Sequence, residues 1–488
     1  MGSLVAQSAL GIFEGQTDIG SVTPAGTAAY DAAAGTYTIA AAGADLWDAS
    51  DNFHFVWKKV SGDVALTADV TFPDTAGTHY PRRKAMLMVR QGLDTDSPYV
   101  AVTQHGVGAT VLQYRRVKGG GTQDIEVSVA APKRIRLVRR GDAVTMFLSA
   151  NGEPLHQVGA SMKVRLWDSF YVGLGVCSHD AKVTEKAVFS NVKLETSVVY
   201  STLQTMAIDP AFLQAKVVYT TEGRMEAPNW TRDGQSLIFN QNGKMMMVPV
   251  KGGEPKVIDV GAAVRCGGSH GLSPDGKELA ITCAMLDKPE TRVYAVPMSG
   301  ATPGGTPRMV TEHGSSYWHS WSPDGRTIAF TRPAHGSGDI FVIPAAGGEE
   351  KQITSGEKLS DDPDYSPDGK YIYFNSDRSG GMQIWRMKTD GSVPEQITFD
   401  EMVNWTPHVS PDGKWMVFQS YPAGTTGHPT NTDIAVRIMS LEDRKVRTLA
   451  NVVGGTGMMN VPSWAPDSKH LAFMTYLLML PEETGSIR

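Results

Sequence analysis

What the sequence lacks narrows it first. No run of about 18 or more apolar residues occurs, so no segment reads as a membrane-spanning helix. Lysine and arginine number 45 against 51 aspartates and glutamates, a net charge of −6. With no basic stripe along the chain, nucleic-acid recognition has no electrostatic footing. Ser322 and its equivalents sit in Ser-Pro-Asp-Gly turns, not in a Gly-x-Ser-x-Gly nucleophile elbow. The glycine-rich pieces Lys118–Gly121 and Val453–Gly457 lack the strand-to-helix setting of a phosphate loop and read as hairpin loops. No segment supports a long amphipathic helix. Cysteine is scarce, with three in 488 residues. Cys266 and Cys283 lie nine residues before and eight after Asp275, facing one another if the hairpin between them is regular; a disulfide and two buried thiols are both compatible with that spacing. Cys177 reads as a core residue.

What is present is a repeat. Ser322-Pro-Asp-Gly325 returns as Thr231-Arg-Asp-Gly234, Ser273-Pro-Asp-Gly276, Ser366-Pro-Asp-Gly369, Ser410-Pro-Asp-Gly413 and, degraded, Ala465-Pro-Asp-Ser468. Its aspartates are 42, 49, 44, 44 and 55 residues apart, the period of a repeat architecture. Each copy is preceded by a bulky residue (Trp230, Leu272, Trp321, Tyr365, Val409, Trp464) and followed by a β-rich run such as Thr327–Thr331. Pro and Gly around the Asp pre-set a tight turn, so each unit is a hairpin extended by two further strands, and six four-stranded units make a six-bladed propeller. The last unit runs short of an outer strand, which Lys216–Thr220 is expected to supply, latching the ring by its own ends.

The repeat resembles that of the TolB-type propeller family, from about Val217 to Pro481. From about Asp18 to Glu195 the pattern is instead period-two alternation, as in Leu66, Ala68 and Val70 against Ala65, Thr67 and Asp69, which predicts an antiparallel β-sandwich. Phrases such as Gly43–Asp48, Phe53–Trp57 and Tyr171–Val176 resemble concanavalin- or laminin-G-like jelly-roll modules. The chain is thus expected to be all-β: a jelly-roll sandwich over 1–195, a linker over 196–215 and a six-bladed propeller over 216–488. Arg90, Gln104, His105 and Arg115 are candidates for a sugar-facing sheet or for solvated strand faces; Trp47, Trp57 and Trp167 read as core. The opening Met1-Gly2-Ser3 carries no export signal of its own, which also fits a cytoplasmic protein; the resemblance implies a periplasmic or secreted protein whose signal has been removed.

In a propeller the inner strand of each blade borders the axial channel. Five residues before the marker Asp stands Pro228, Pro363, Pro407 or Pro462, but His270 and His319 break the rule; one step later stand Asn229, Gly271, Ser320, Asp364, His408 and Ser463. Blades two to five therefore present His270, His319, Asp364 and His408 toward one region, as catalytic groups or metal ligands. Three imidazoles and a carboxylate suit Mn²⁺, Zn²⁺ or Fe²⁺ better than Ca²⁺ or Mg²⁺. Glu226, Asn229, Tyr317, Trp318, Asp361, Asp362, Asn404, Trp405, His428 and Asn460 are the expected substrate contacts. Polar side chains lining a wet channel satisfy the same pattern without a ligand.

The channel histidines are similar to those of propeller-type pectate-fragment lyases, which have seven blades and a different His spacing. That resemblance implies a metal neutralising a uronate carboxylate while a base removes the α-proton. His270, His319 and His408 would then be ligands or bases and Asp364 a ligand or orienter; metal-assisted glycoside hydrolysis is as compatible. The expectation is a carbohydrate-active lyase or hydrolase, with two alternatives: a non-catalytic scaffold docking a protein or peptide, or a glycan binder without turnover. No nucleic acid and no membrane insertion are expected.

Overall fold

The computed structural model describes residues 10–481 apart from 74–78, 168, 211–213, 286–287, 299–303, 335–336, 357 and 462. Met1–Ser3 and Pro462 lie outside the described residues. All regular elements among those described are strands, and the chain divides into two compact units, 1–198 with 478–488, and 199–477.

The first unit consists of two seven-stranded antiparallel sheets. One runs from Gly15–Ile19 through Phe53–Val60 and Phe170–Cys177 to Gln123–Val127; the other runs from His156–Lys163 through Val64–Thr71 to Thr27–Asp31. Val56, Leu87 and Leu112 of one sheet and Leu66, Leu137 and Phe189 of the other share one core, the outcome that period-two alternation dictates. The polar residues between them are tied on the opposite face: Asp69 accepts from Arg134 at 2.6 and 3.0 Å, and Glu195 from Arg136 at 2.7 Å. Arg90 and Arg115 face no sugar. Both are fully buried around Asp51, whose carboxylate takes Arg115 bidentately at 2.7 and 2.9 Å and Arg90 at 3.4 Å. Trp47 and Trp167, read as core, are 42% and 62% exposed, whereas Trp57 is half-buried against Tyr171. Cys177 is a buried free thiol.

The second unit is a six-bladed propeller. Its repeat turn is built as the sequence implies: Ser322 Oγ donates to Asp324 Oδ1 at 2.6 Å, the same oxygen accepts the Arg326 N–H at 3.0 Å, and Thr327 N–H closes on Ser322 Oγ at 2.9 Å. Gly325 sits at φ +70, the left-handed region glycine tolerates. The turns at Ser273, Ser366 and Ser410 repeat the Ser–Asp bond. The degraded sixth copy holds the non-glycine Ser468 at φ 57. Cys266 and Cys283 are joined by a disulfide.

Two positions of the repeat tie neighbouring blades together in several of its copies. At the position before the turn, Trp321 Nε1 donates to Gly271 O at 2.9 Å, Trp464 to His408 O at 2.9 Å and Trp230 to Ser463 O at 3.1 Å, the last of these linking blade one to blade six. The residue before that reaches the other way, as Ser320 Oγ does to Pro363 O at 2.8 Å. The ring is closed by two amino-terminal strands rather than one: the sixth sheet is ordered Ala215–Glu222, Val198–Ala207, His470–Met479, with Trp464 bridging Leu471 as the inner edge. The 196–215 stretch, expected as a linker, thus carries a ten-residue strand. Its inward positions include Ser201 and Thr205 beside Leu203, so hydrophobicity does not announce it.

Candidate functional site

The inner strands are not regular, and their irregularity positions the site. Register shifts fall between Glu226 and Asn229, Trp318 and Ser320, Asp361 and Asp364, and Trp405 and His408. Each is a bulge at the same depth, and a bulge re-aims the side chains it carries. Ala227, Asp362 and Thr406 take left-handed φ values of 58, 51 and 53 there, each before the repeat's Pro.

In blade three the bulged residue is His319 itself, and in blade four the bulge sets two consecutive carboxylates, Asp361 and Asp362, near it. His319 Nδ1 lies 3.3 Å from Asp362 Oδ1, and its Nε2 lies 3.5 Å from Asp361 Oδ1 and 2.9 Å from the Thr331 hydroxyl. One ligand atom from each of the three residues falls within 4.8 Å of the others. His319 and Asp362 are buried, while Asp361 keeps 31% side-chain exposure and opens the cluster to solvent. Burial lowers the His319 imidazole to about 4, against the opposing pull of Asp361. Burial, then the adjacent Asp361 charge, raises the Asp362 carboxyl well above the carboxylate range.

The other three residues of the predicted set go elsewhere. Blade two has no bulge at His270: it pairs regularly with Ile281, which belongs to the apolar cluster between blades one and two. His270 is fully buried, its Nε2 is 3.5 Å from the Ile238 carbonyl, and burial lowers it to about 4. Asp364 and His408 occupy the blade-tying position. Asp364 Oδ2 accepts the Val409 N–H at 2.9 Å, and His408 Nε2 bonds Met459 O at 2.9 Å; the two side chains stay 3.8 Å apart. Asn229 Oδ1 likewise accepts the Leu272 N–H at 3.4 Å.

Of the expected substrate contacts, Asp361 and Asp362 join His319. Trp405 and His428 stack with centroids 4.7 Å apart, and burial brings His428 down to about 3. Asn404 is consumed by Gln383, Asp400 and Ser420 at 2.6–3.0 Å. Glu226 accepts from Arg224 at 2.7 Å, and Asn460 Oδ1 from the Gly457 N–H at 2.9 Å. Trp318 is buried over Gly271, where a Cβ would stand 2.1 Å from its ring, and Tyr317 is 37% exposed. Thr331 was not foreseen: it lies on the second strand of blade three, and only its pairing across to Tyr317 brings it near the bulge. A cleft of about 830 Å³ also opens across blades four and five, lined by Met382, Phe399, Met402 and Trp405, with Phe399 75% exposed.

The family model of the TolB beta propeller domain matches residues 269–477. An uncharacterized protein of Agrobacterium fabrum is 42% identical over 265 residues, 54% of this chain and 88% of that protein. The chain belongs to the TolB-type propeller family. A solved structure from Agrobacterium tumefaciens, provisionally assigned as TolB, is 39% identical and covers 57% of this chain and 99% of its own, with a TM-score of 0.54. An oligogalacturonate lyase in complex with manganese is 16% identical over 56% of this chain and 81% of that one, with a TM-score of 0.38; so loose a likeness carries no chemistry across. In this TolB-type propeller the channel histidines accordingly stand on their own geometry.

Proposed function

We propose that this protein is an exported, non-catalytic scaffold whose propeller docks a protein or peptide partner at the end of the ring where the inner strands begin. The observation that supports this best is the fate of the four-residue set on which catalysis would rest: His270 packs between blades, and Asp364 and His408 tie them, leaving His319 alone with acids. A docking surface is at hand in the cleft of blades four and five. Met382 and Met402 are adaptable apolar side chains, and the exposed Phe399 beside them is the kind of patch that marks a protein contact. An extended partner segment with apolar anchors fits that lining. Family membership supports a protein partner, and the Cys266–Cys283 disulfide fits an oxidising compartment such as the periplasm. Cross-linked capture from periplasmic extract is expected to retain one protein partner, and Phe399→Ala with Met402→Asp to lose it. Capture unchanged by both substitutions, or turnover of a uronate polysaccharide abolished by chelator, would overturn the reading.

For the amino-terminal unit we propose a glycan-binding module of the concanavalin/laminin-G-like class. The supporting observation is a cleft of about 380 Å³ containing Trp47, Lys84, His105, Gln113 and Asp124, with an exposed aromatic face beside hydrogen-bonding groups. Glycan-array binding that Trp47→Ala abolishes tests it, and binding indifferent to Trp47 refutes it.

A further inference from the structure

We propose that His319, Asp361 and Asp362 form a divalent transition-metal site at the axis of the propeller, independent of the docking cleft. The set differs from the one the spacing of the repeats suggests, because it arises from a single bulge on each of two adjacent blades. On a regular strand two consecutive side chains point to opposite faces; the shift between Asp361 and Asp364 brings both carboxylates to His319.

Three observations point to a cation. Asp362 Oδ2 is buried with no hydrogen-bond partner, an arrangement that costs free energy unless something positive meets it. Among the described residues neither Asp361 nor Asp362 ion-pairs with a lysine or arginine; their one ion-pair partner is His319, and Asp361 Oδ1 also accepts the Asp362 N–H at 2.9 Å. The spacing is also right, since two ligands about 2.1 Å from one ion lie about 3.0–3.4 Å apart at octahedral or tetrahedral angles, and His319 Nδ1 to Asp362 Oδ1 is 3.3 Å. In the tautomer that donates Nε2–H to the Thr331 hydroxyl, 2.9 Å away, His319 keeps the Nδ1 lone pair for the metal, the usual support for a ligating imidazole. Asp361, 31% exposed, has an oxygen within 4.8 Å of the other two ligand atoms but rests 3.5 Å from Nε2. It completes the set by turning its carboxylate toward Nδ1 on the solvent side, where water or a partner's oxygen also fits. One nitrogen and two carboxylate oxygens select Zn²⁺, Mn²⁺ or Fe²⁺ over Mg²⁺.

Chelator-stripped full-length protein titrated with Mn²⁺, with the free ion followed by electron paramagnetic resonance, decides it. The expected result is one Mn²⁺ per chain, displaced by Zn²⁺ and not by equal Mg²⁺. Asp362→Asn and His319→Gln should each weaken binding at least ~10-fold, the low end of what even an outer-shell loss costs. Asp362→Asn is isosteric; its melting curve in chelator, matched to the parent, shows that the fold is intact. A partner's lysine or arginine in place of the metal would leave no stoichiometric Mn²⁺ uptake. That result, or uptake unchanged in Asp362→Asn, overturns the proposal, while loss of partner capture with metal binding intact would overturn only the docking reading.

Discussion

Each unit buries a knot of charged and ionisable side chains, and the two knots are opposites. In the first unit Asp51 sits between Arg115 and Arg90, all three without side-chain exposure, and Arg115 goes on to donate to the carbonyls of Asp48, Thr95 and Ser97 at 3.0–3.3 Å. Two guanidiniums share one carboxylate, and their spare donors go to backbone carbonyls. In the propeller Asp361 and Asp362 have no cationic side chain beside them among the described residues, only the neutral His319 imidazole and, for Asp361, the Asp362 N–H, and one buried oxygen is left over. A complete cluster is a structural rivet; an acidic one lacking a cation is open to something from outside. The contrast separates the two roles where burial alone does not, since Asp51 and Asp362 are both buried.

The same isosteric change should therefore have different outcomes in the two places. Asp51→Asn leaves two buried guanidiniums facing an amide, and breaking a buried pair in this way costs about 3–5 kcal/mol. Urea unfolding followed by the first unit's tryptophans should show a loss of that size; a loss comparable to that of an exposed pair such as Lys118–Asp96 would remove Asp51 from the rivet's centre.

His270 supplies the next largest effect, as a buried imidazole with no acid at all. Its folded-state value of about 4 lies below the unfolded value of about 6.5, so the unfolded chain takes up a proton first as pH falls. Stability is complete above about pH 6.5 and declines toward pH 4, by about 3 kcal/mol for this one group. His270→Gln cannot take up that proton: the propeller's transition should be weaker at pH 7 but flatter between pH 4 and 6.5. A slope as steep as the parent's would mean that other groups govern acid unfolding.

Much of this was legible in the sequence. The Ser-Pro-Asp-Gly turn announces itself because each residue plays one local part, Ser322 and Asp324 bonding each other and Gly325 taking positive φ. The blade count follows from the turns. The site was legible only in part, because counting back from the turn assumes an unbroken strand. His270 and His319 are equally far from their turns, yet one strand is regular and the other bulged, so one ring faces an apolar interface and the other the two aspartates. A one-residue slip exchanges the faces of a strand, and nothing in a single copy of the repeat records it. His408 and Asp364 were misleading for another reason: the blade-tying position accepts Ser320, Asn229, Asp364 or His408 alike, since all that is needed there is a hydrogen-bonding side chain.

That tie can be broken at the point where the ring closes. Trp230→Phe removes the indole N–H that reaches Ser463 O at 3.1 Å, a carbonyl that keeps the Ala472 N–H at 2.9 Å, so the loss should be about 0.5–1.5 kcal/mol. Trp321→Phe removes the same bond inside the ring. Hydrogen exchange should show Trp230→Phe opening Val198–Ala207 and His470–Met479 before the other blades, whereas Trp321→Phe should open blades two and three; identical exchange patterns would deny the closure any separate stability.

The smallest effect is expected where the comparison is sharpest. Asp362→Asn in chelator replaces a carboxyl whose charged form burial and Asp361 already disfavour, so it takes away little that stabilises the fold, and the stability change should stay below about 1 kcal/mol. Adding ion to about 100 times its dissociation constant should then stabilise the parent by about 2.7 kcal/mol through binding to the folded state alone, and the variant by much less. A substitution severe at Asp51 and nearly silent at Asp362 until metal is added would mark the first as architecture and the second as a site. Equal severity in chelator would mean that Asp362 is held by the fold for its own sake.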